Sequence, residues 1–299
     1  MRFPALCLLA AIALGPTAFA QAPRRAPSGV TTPSRVPAAA ATTPAPGLAK
    51  TTAPYDQERL LAGHLLRRIG FGPNAADMKR VLQKGRTAYI DEQLNPSRID
   101  DSAGEAKFFP TTRDMFDDRP RIRRWYPRMV YSRKQLRERM TLIWHEHFAT
   151  SNAKVGLAHF MEAQEEMLRA NALGNFRTLL IEISRDKAML YWLDNNYNSG
   201  TDTDEEGNPI PPNENYGREL LQLFATGTDM LNLDGTPVLD GAGRPVPAYT
   251  EDDVKAVARA LTGWYANYRQ RTPARFEPYI HDSSNKTVLG ETIVGRSGN

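Results

Sequence analysis

Apolar residues along most of the chain recur every three or four positions, and this spacing predicts amphipathic helices. The pattern is clearest where Gly, Pro, Asn or Thr also marks a helix end. Helices are predicted over about 55–69, 74–84, 86–94, 135–148, 157–171, 175–193, 214–225 and 250–261, with polar, irregular segments at 100–120 and 194–212.

The segment between about 231 and 249 has a different pattern. Val and Leu alternate there with polar residues around two turn sequences, Asp234-Gly235 and Asp240-Gly241. Alternation and Asp-Gly turns are typical of a β-hairpin. No internal repeat is apparent in the sequence. The predicted fold class is therefore mainly α, a multi-helical domain with one inserted β-hairpin.

The first 54 residues differ in composition from the rest. Residues 1–20 combine Arg2, an apolar run and a final Ala-Phe-Ala, which predicts a secretory signal peptide cleaved after Ala20. Residues 21–54 are rich in Pro, Ala and Thr and contain no acidic residue, so they predict a disordered linker. The folded domain is predicted at 55–299, and the protein is predicted to be exported, either periplasmic or secreted.

Charge and cysteine content restrict the function classes. The whole chain carries +4, to which the signal contributes +1 and the linker +4, so residues 55–299 carry −1. A nucleic-acid-binding domain concentrates positive charge on its folded part, so we expect no nucleic-acid partner. The single cysteine, Cys7, lies in the predicted signal, so no thiolate ligand is expected in the mature chain. No transmembrane segment is expected in the mature chain either. The apolar run near the N-terminus lies in the predicted signal and is too short to span a bilayer.

Short motifs follow one another along the chain: HLLRRIGFG (64–72), WHEHF (144–148), ALGNF (172–176), NENYGREL (213–220), YTEDDV (249–254), ARALTGW (258–264) and HD (281–282), followed by Lys286, Leu289 and Gly290. In this order they resemble the DUF1800 family of exported bacterial proteins, over roughly residues 58–295. The resemblance implies a mainly helical fold but no activity, because the family's biochemical function is not established. Family members usually continue further, so the resemblance also implies a chain that lacks the usual C-terminal part.

The histidines are candidate metal ligands. His64, His145 and His281 are predicted to hold a divalent metal ion together with a carboxylate such as Glu214 or Glu219, because imidazole and carboxylate are the usual ligands when no thiolate is present. His145 and His147 cannot easily share one ion, since residues two apart on a helix point about 200° apart. His147 falls on the apolar stripe of its helix and is expected to be a core histidine.

The motif at 213–219 places five polar side chains and a tyrosine at the start of a helix. Three of these residues are predicted to be catalytic in a pocket: Glu214 or Glu219 as a general base, and Arg218 as a clamp for an anion. A capped helix exposed to solvent, with ion pairs between residues four apart, predicts the same pattern.

Residues 113–139 contain ten basic residues and four acidic ones, with Trp125, Tyr126 and Tyr131 among them. Such a stretch suits an anionic glycan, a lipid headgroup or a protein partner, but a solvated helix face is the expected structure. The Ser184-x-x-Lys187 spacing matches penicillin-binding enzymes, yet their companion motifs are absent from the sequence, so it is expected to be a chance match.

Two functions follow from these patterns. The first is an extracytoplasmic hydrolase-like enzyme, assisted by a metal ion if one binds. The alternative is a non-catalytic binding or assembly component of the cell envelope, with a partner there, in which the same polar residues form a buried structural network. Convergence of the candidate residues around an open cavity would favour the enzyme.

Overall fold

The structure is a computed structural model that describes residues 56–107, 117 and 119–295. The predicted signal peptide (1–20) and linker (21–54) lie outside these described residues. The helices are α1 (Gln57–Ile69), α2 (Ala75–Lys84), α3 (Arg86–Leu94), α4 (Ser102–Glu105), α5 (Arg119–Tyr131), α6 (Gln135–Phe148), α7 (Asn152–Val155), α8 (Ala158–Asn171), α9 (Phe176–Ser184), α10 (Lys187–Trp192), α11 (Asn215–Glu219) and α12 (Glu251–Ala260). Two antiparallel strand pairs follow: β1 (Trp264–Tyr265) with β2 (Arg275–Phe276), and β3 (Lys286–Val288) with β4 (Glu291–Ile293).

The mainly α fold class is confirmed, with two local corrections. The helix predicted over 175–193 is two helices, because Asp186 accepts a hydrogen bond from the Met189 backbone N–H at 2.9 Å and so caps α10. The segment 100–120, predicted to be irregular, contains α4 and the first two residues of α5.

The largest hydrophobic core of the described residues lies between α6, α9, α11 and α12. Helices α11 and α12 approach closely at Gly217, where a Cβ atom would lie 2.9 Å from the Val254 carbonyl oxygen. The neighbouring Tyr216 is fully buried, and its hydroxyl donates to the Ile183 carbonyl at 3.1 Å. The 213–219 motif therefore contributes a buried tyrosine and a close helix contact to the core.

Helix α11 continues as a π-helical turn over Leu220–Ala225. His147 Nε2 lies 3.1 Å from the Phe224 carbonyl oxygen in this turn. The His147 ring also packs against Trp144 and Phe148, with ring centroids 5.8 and 4.9 Å away. His147 is thus a packed, hydrogen-bonded histidine, as its place on the apolar stripe predicts.

Antiparallel backbone pairing occurs where the hairpin is predicted, at about 231–249. It takes the form of isolated bridges rather than strands: Asp229 with Pro247, Leu231 with Pro237, and Leu239 with Pro245. The pairs β1–β2 and β3–β4 are not among the predicted elements. Their strands of two or three residues are too short to show an alternating pattern.

Three turns share the sequence pattern Asp/Asn-x-x-Gly-x-Pro, at 204–209, 232–237 and 240–245. In each turn the first residue donates its N–H to the carbonyl of the fifth at 2.8–2.9 Å, and the glycine donates to the first carbonyl at 3.0 Å. The three glycines have φ between 76° and 84°, which a residue with a side chain rarely adopts. These turns are one local backbone motif used three times, and they are far shorter than the roughly 20–50 residues of a structural repeat.

Helices α6 and α8 are joined by buried ion pairs centred on Arg169. Its guanidinium lies 2.9 Å from Glu138 of α6, and 2.5 Å and 2.8 Å from Glu165 and Glu166 of its own helix. The Arg169 side chain is 5% exposed and the Glu138 side chain 0%. These three carboxylates raise the pKa of Arg169 against the effect of its burial.

Helix α5 is bound to the same glutamates through its inner arginines. Arg124 lies 3.0 Å from Glu162 and 2.8 Å from Glu166, and Arg128 lies 2.6 Å from Glu166. Burial alone would raise the pKa of Glu166, but the arginines outweigh it and hold that pKa below its usual range. The expectation of a solvated basic face over 113–139 is therefore wrong for the inner side of α5. We refer to these inner arginines and their glutamates, with Arg169 and Glu138, as the arginine–glutamate network.

The central arginine is open to a direct test. Replacing Arg169→Met removes the closest partner of two buried carboxylates, Glu138 and Glu165, which costs about 3–5 kcal/mol of the free energy of unfolding. Urea denaturation measures this loss. The matched control is Arg185→Met at the end of α9, whose side chain is 44% exposed and pairs only with Glu182 among the described residues. We expect a change within about 0.5 kcal/mol there, and equal losses in both variants would contradict the central role of Arg169.

Candidate functional site

The residues predicted to be catalytic lie together, with Glu214 at the N-cap of α11 and Arg218 and Glu219 in its last turn, but two carboxylates already pair with the Arg218 guanidinium. Its Nη2 atom lies 3.1 Å from Glu214 and 2.7 Å from Glu251, and Nη1 donates to Glu251 at 2.8 Å. The hydrogen bond from Arg218 to Glu251 is the main reason that the pKa of Arg218 is raised. Because Glu251 begins α12, this ion-pair group ties α11 to α12 at a partly exposed surface.

Glu219 has a different environment. It is half-buried, and burial raises the pKa of its carboxyl although the Arg218 charge opposes the shift. A carboxyl with a raised pKa suits a general acid or base. Glu219 nevertheless does not line the cavity described below, and neither does Glu214 or Arg218.

The three predicted metal ligands have separate surroundings. His64 is exposed on α1. His145 packs edge-on against Trp125, with ring centroids 5.0 Å apart. His281 Nδ1 lies 3.0 Å from the Thr262 hydroxyl and 2.9 Å from the Thr262 carbonyl oxygen, so that ring is oriented by the turn after α12.

Among the described residues, no group of three or more His, Cys, Asp or Glu side chains is arranged to hold a metal ion. The structure therefore brings Glu214 together with Arg218 but does not gather the histidines and a carboxylate into such a group. The predicted metal site gains no support from the geometry.

The structure contains a cavity that the sequence patterns do not indicate. It has a volume of about 230 Å³ and lies where α5, α8, α10 and the loop after β1 meet. Its lining combines basic and acidic side chains with one alanine: Arg124, His159, Glu162, Ala163, Glu166, Lys187 and Arg271. Arg124 and the two glutamates belong to the arginine–glutamate network, so that network forms one wall of the cavity.

Lys187 has the most unusual environment of these lining residues. Its Nζ donates to the Gln270 carbonyl at 2.6 Å and lies 4.1 Å from the centroid of the Phe160 ring. Burial lowers the pKa of Lys187 to about 8, with Asp186 opposing the shift and Arg271 adding to it. Ser184 Oγ instead donates to the Leu180 carbonyl at 2.7 Å. The Ser184-x-x-Lys187 pattern thus indicates no serine–lysine pair, yet its lysine lines a cavity.

The opposite side of α5 is a second candidate surface. Residues 122, 126 and 130 follow one another at four-residue spacing, so they form a row along the helix. Ile122 is 39% exposed, Tyr126 64% and Val130 63%. Arg123 lies beside the row and is exposed, and it forms no ion pair with any described carboxylate. We call these four residues the outer row of α5.

The environment of His145 predicts a dependence of stability on pH. Burial, aided by the Arg121 charge, lowers the pKa of His145 to about 4, whereas an unfolded histidine titrates near 6.5. Between these values the unfolded chain binds a proton that the folded chain does not. The stabilisation is therefore complete above pH 6.5 and is lost as the pH falls toward 4.

We expect His145→Gln to reduce the drop in unfolding free energy between pH 7 and 4.5 by about 2 kcal/mol, because that imidazole no longer takes up a proton on unfolding. Urea denaturation at a series of pH values measures the drop. The exposed His64→Gln is the control and should keep the wild-type slope. A wild-type slope in His145→Gln as well would show that His145 protonates freely in the folded chain.

In the part of the chain that the structure describes, no helix combines the length and the apolarity needed to cross a bilayer.

Comparison with known proteins identifies the family but no activity. No curated protein and no solved structure gives a significant match. The model of the family described as "Protein of unknown function (DUF1800)" matches residues 64–299, which is more than half of the chain. This protein therefore belongs to the DUF1800 family.

Proposed function

We propose that this protein is an exported, non-catalytic component of the cell envelope that attaches to an anionic membrane surface through the outer row of α5. The exposed apolar row beside a cation is the observation that carries this proposal. The signal-like pattern of residues 1–20 supports export. An exported chain would meet the membrane surface from the outside.

The two sides of α5 have different roles. On the inner side, Arg124 and Arg128 pair with glutamates of α8, so their charges are balanced within the protein. On the outer side, Ile122, Tyr126 and Val130 leave apolar surface in water. A helix with one anchored side and one apolar, basic side suits the plane of a bilayer interface. The arginine–glutamate network would hold α5 rigidly against α8.

Positive charge flanks the apolar row. Arg123 lies beside it, and Lys107 extends over the Tyr131 ring at the far end of α5, 4.4 Å from its centroid. Each lysine or arginine near an anionic lipid surface contributes about 1 kcal/mol of attraction. Tyrosine is favoured at the headgroup level because its ring is apolar and its hydroxyl is polar. The row therefore has the chemistry of a peripheral membrane contact.

The hydrolase-like enzyme predicted from the sequence stays a prediction. It requires Glu214, Arg218 and Glu219 to face a substrate. The pairing of Arg218 with Glu214 and Glu251 instead favours a structural role for that motif, as does the close contact at Gly217. These observations support the non-catalytic proposal over the enzyme.

Vesicle co-sedimentation of the processed, exported chain tests the proposal. We expect binding to phosphatidylglycerol-containing vesicles and little binding to pure phosphatidylcholine. Replacing Ile122, Tyr126 and Val130 by Ser removes apolar contact with the bilayer and should weaken binding at least tenfold. The variant Arg123→Gln should weaken binding several-fold at low salt and less at high salt, because ions screen the attraction.

The turns at 232–245 supply a matched control. Leu231, Leu233 and Leu239 are also exposed, at 60%, 88% and 57%, but Asp234 and Asp240 lie among them. Replacing these leucines by Ser should leave vesicle binding unchanged. Absence of binding to anionic vesicles, or equal loss in both triple variants, would overturn the proposed attachment through α5.

A further inference from the structure

The cavity between α5, α8 and α10 is independent of the outer row of α5, because it opens on the other side of that helix. Three cationic side chains from three separate segments line it: Arg124 of α5, Lys187 of α10, and Arg271 of the loop after β1. We infer that this cavity binds a small molecule through a single oxyanion group, a carboxylate or a phosphate.

The glutamates in the lining do not cancel this positive charge. Glu166 is within ion-pair distance of three arginines: 2.8 Å from Arg124, 2.6 Å from Arg128 and 2.8 Å from Arg169. Glu162 pairs with Arg124 at 3.0 Å. Each lining carboxylate is thus paired with at least one arginine, and the lining itself holds three cationic side chains and two acidic ones.

Lys187 is suited to be the central donor for the anion. Its one hydrogen bond to the Gln270 carbonyl uses one of the three donors of an ammonium group. Among the described residues it forms no ion pair with a carboxylate within 4.0 Å. A largely buried ammonium that no carboxylate reaches within 4.0 Å gains from a bound carboxylate or phosphate, because a charge-assisted hydrogen bond is about twice as strong as a neutral one.

The size of the cavity limits the ligand. A volume of about 230 Å³ lies below the roughly 300–1,000 Å³ of cavities that hold drug-sized ligands. A single acid group on a short organic body fits this space, whereas an oligosaccharide chain or a lipid tail does not. Ala163 gives the body of such a ligand a small apolar contact.

Isothermal titration calorimetry of the exported, processed chain tests this site, with acetate, succinate and inorganic phosphate as probes and chloride at equal ionic strength as reference. We expect at least one probe to bind with a stoichiometry of one. Preference for the carboxylates or for phosphate then identifies the acid group of the ligand. Failure of all three to bind would overturn the inference.

Two variants locate the bound anion. Lys187→Met keeps the apolar stem and removes the charge, and it should weaken binding at least tenfold. Arg271→Gln should weaken it several-fold without touching the buried lysine. The matched controls are Lys255→Met on α12, which pairs with Asp252 at the surface, and Arg269→Gln, two residues before Arg271 in the same loop. Loss of binding in the controls would instead show general attraction to a basic protein.

The pH dependence gives a readout that the arginines cannot produce. Burial holds the pKa of Lys187 at about 8, so the ammonium is charged at pH 7 and neutral at pH 9.5. The charged or titratable groups that face it are Asp186 on its own helix, Arg271 on the loop, Arg124 on α5, and His159, Glu162 and Glu166 on α8. We expect affinity to fall across this interval in the wild type and to stay flat in Lys187→Met. A flat wild-type profile would exclude Lys187 as the donor.

The outer row of α5 does not line this cavity. A failure of anion binding therefore leaves the membrane proposal intact, and a failure of vesicle binding leaves the anion site intact.

Discussion

Three glutamates from two helices converge on the guanidinium of Arg169, and α5 adds its inner arginines to the same group. Buried charges of this kind are costly unless they are paired, so the network favours the observed arrangement of α5, α6 and α8. That arrangement fixes the two surfaces of functional interest. It turns the outer row of α5 toward solvent, and it builds one wall of the cavity next to Lys187.

Much of the fold could be predicted because it depends on local signals. The caps at Asn74 and Thr250 and the apolar stripe of α12 are visible in short windows, and the structure has them. The apolar stripe of α6 is not its buried face, because Gln135, Glu138 and Thr141 are buried there instead. The break at Asp186 is also a local signal, but an apolar pattern continuous over 175–193 conceals it. The inward direction of the α5 arginines could not be predicted, because their glutamates lie 38 residues further along the chain.

The candidate site shows the same limit. Motifs at 213–219 mark Glu214 and Arg218, and the structure brings these two together, but as an ion pair that Glu251 completes from another helix. The surroundings of Lys187 come from Gln270, 83 residues away, so no spacing rule could single out this lysine. A resemblance between motifs indicates which residues belong to one fold. Such a resemblance cannot show whether Tyr216 and Gly217 are needed for packing or for chemistry. A packing motif and a catalytic motif can have the same polar and aromatic residues at the start of a helix.

The repeated turns between α11 and α12 form a closed ring of backbone bonds. Met230 donates to the Val246 carbonyl, Val246 to that of Val238, and Val238 to that of Met230, at 2.7–2.9 Å, and the ends meet where Ala248 donates to the Thr228 carbonyl at 2.9 Å. The segment thus leaves and rejoins the helical body at neighbouring points, and these backbone hydrogen bonds lie within the segment itself. Such an appendage can be lengthened, shortened or exchanged for a tag with little disturbance of the helices that carry it, which makes it the natural insertion point for a label in this fold.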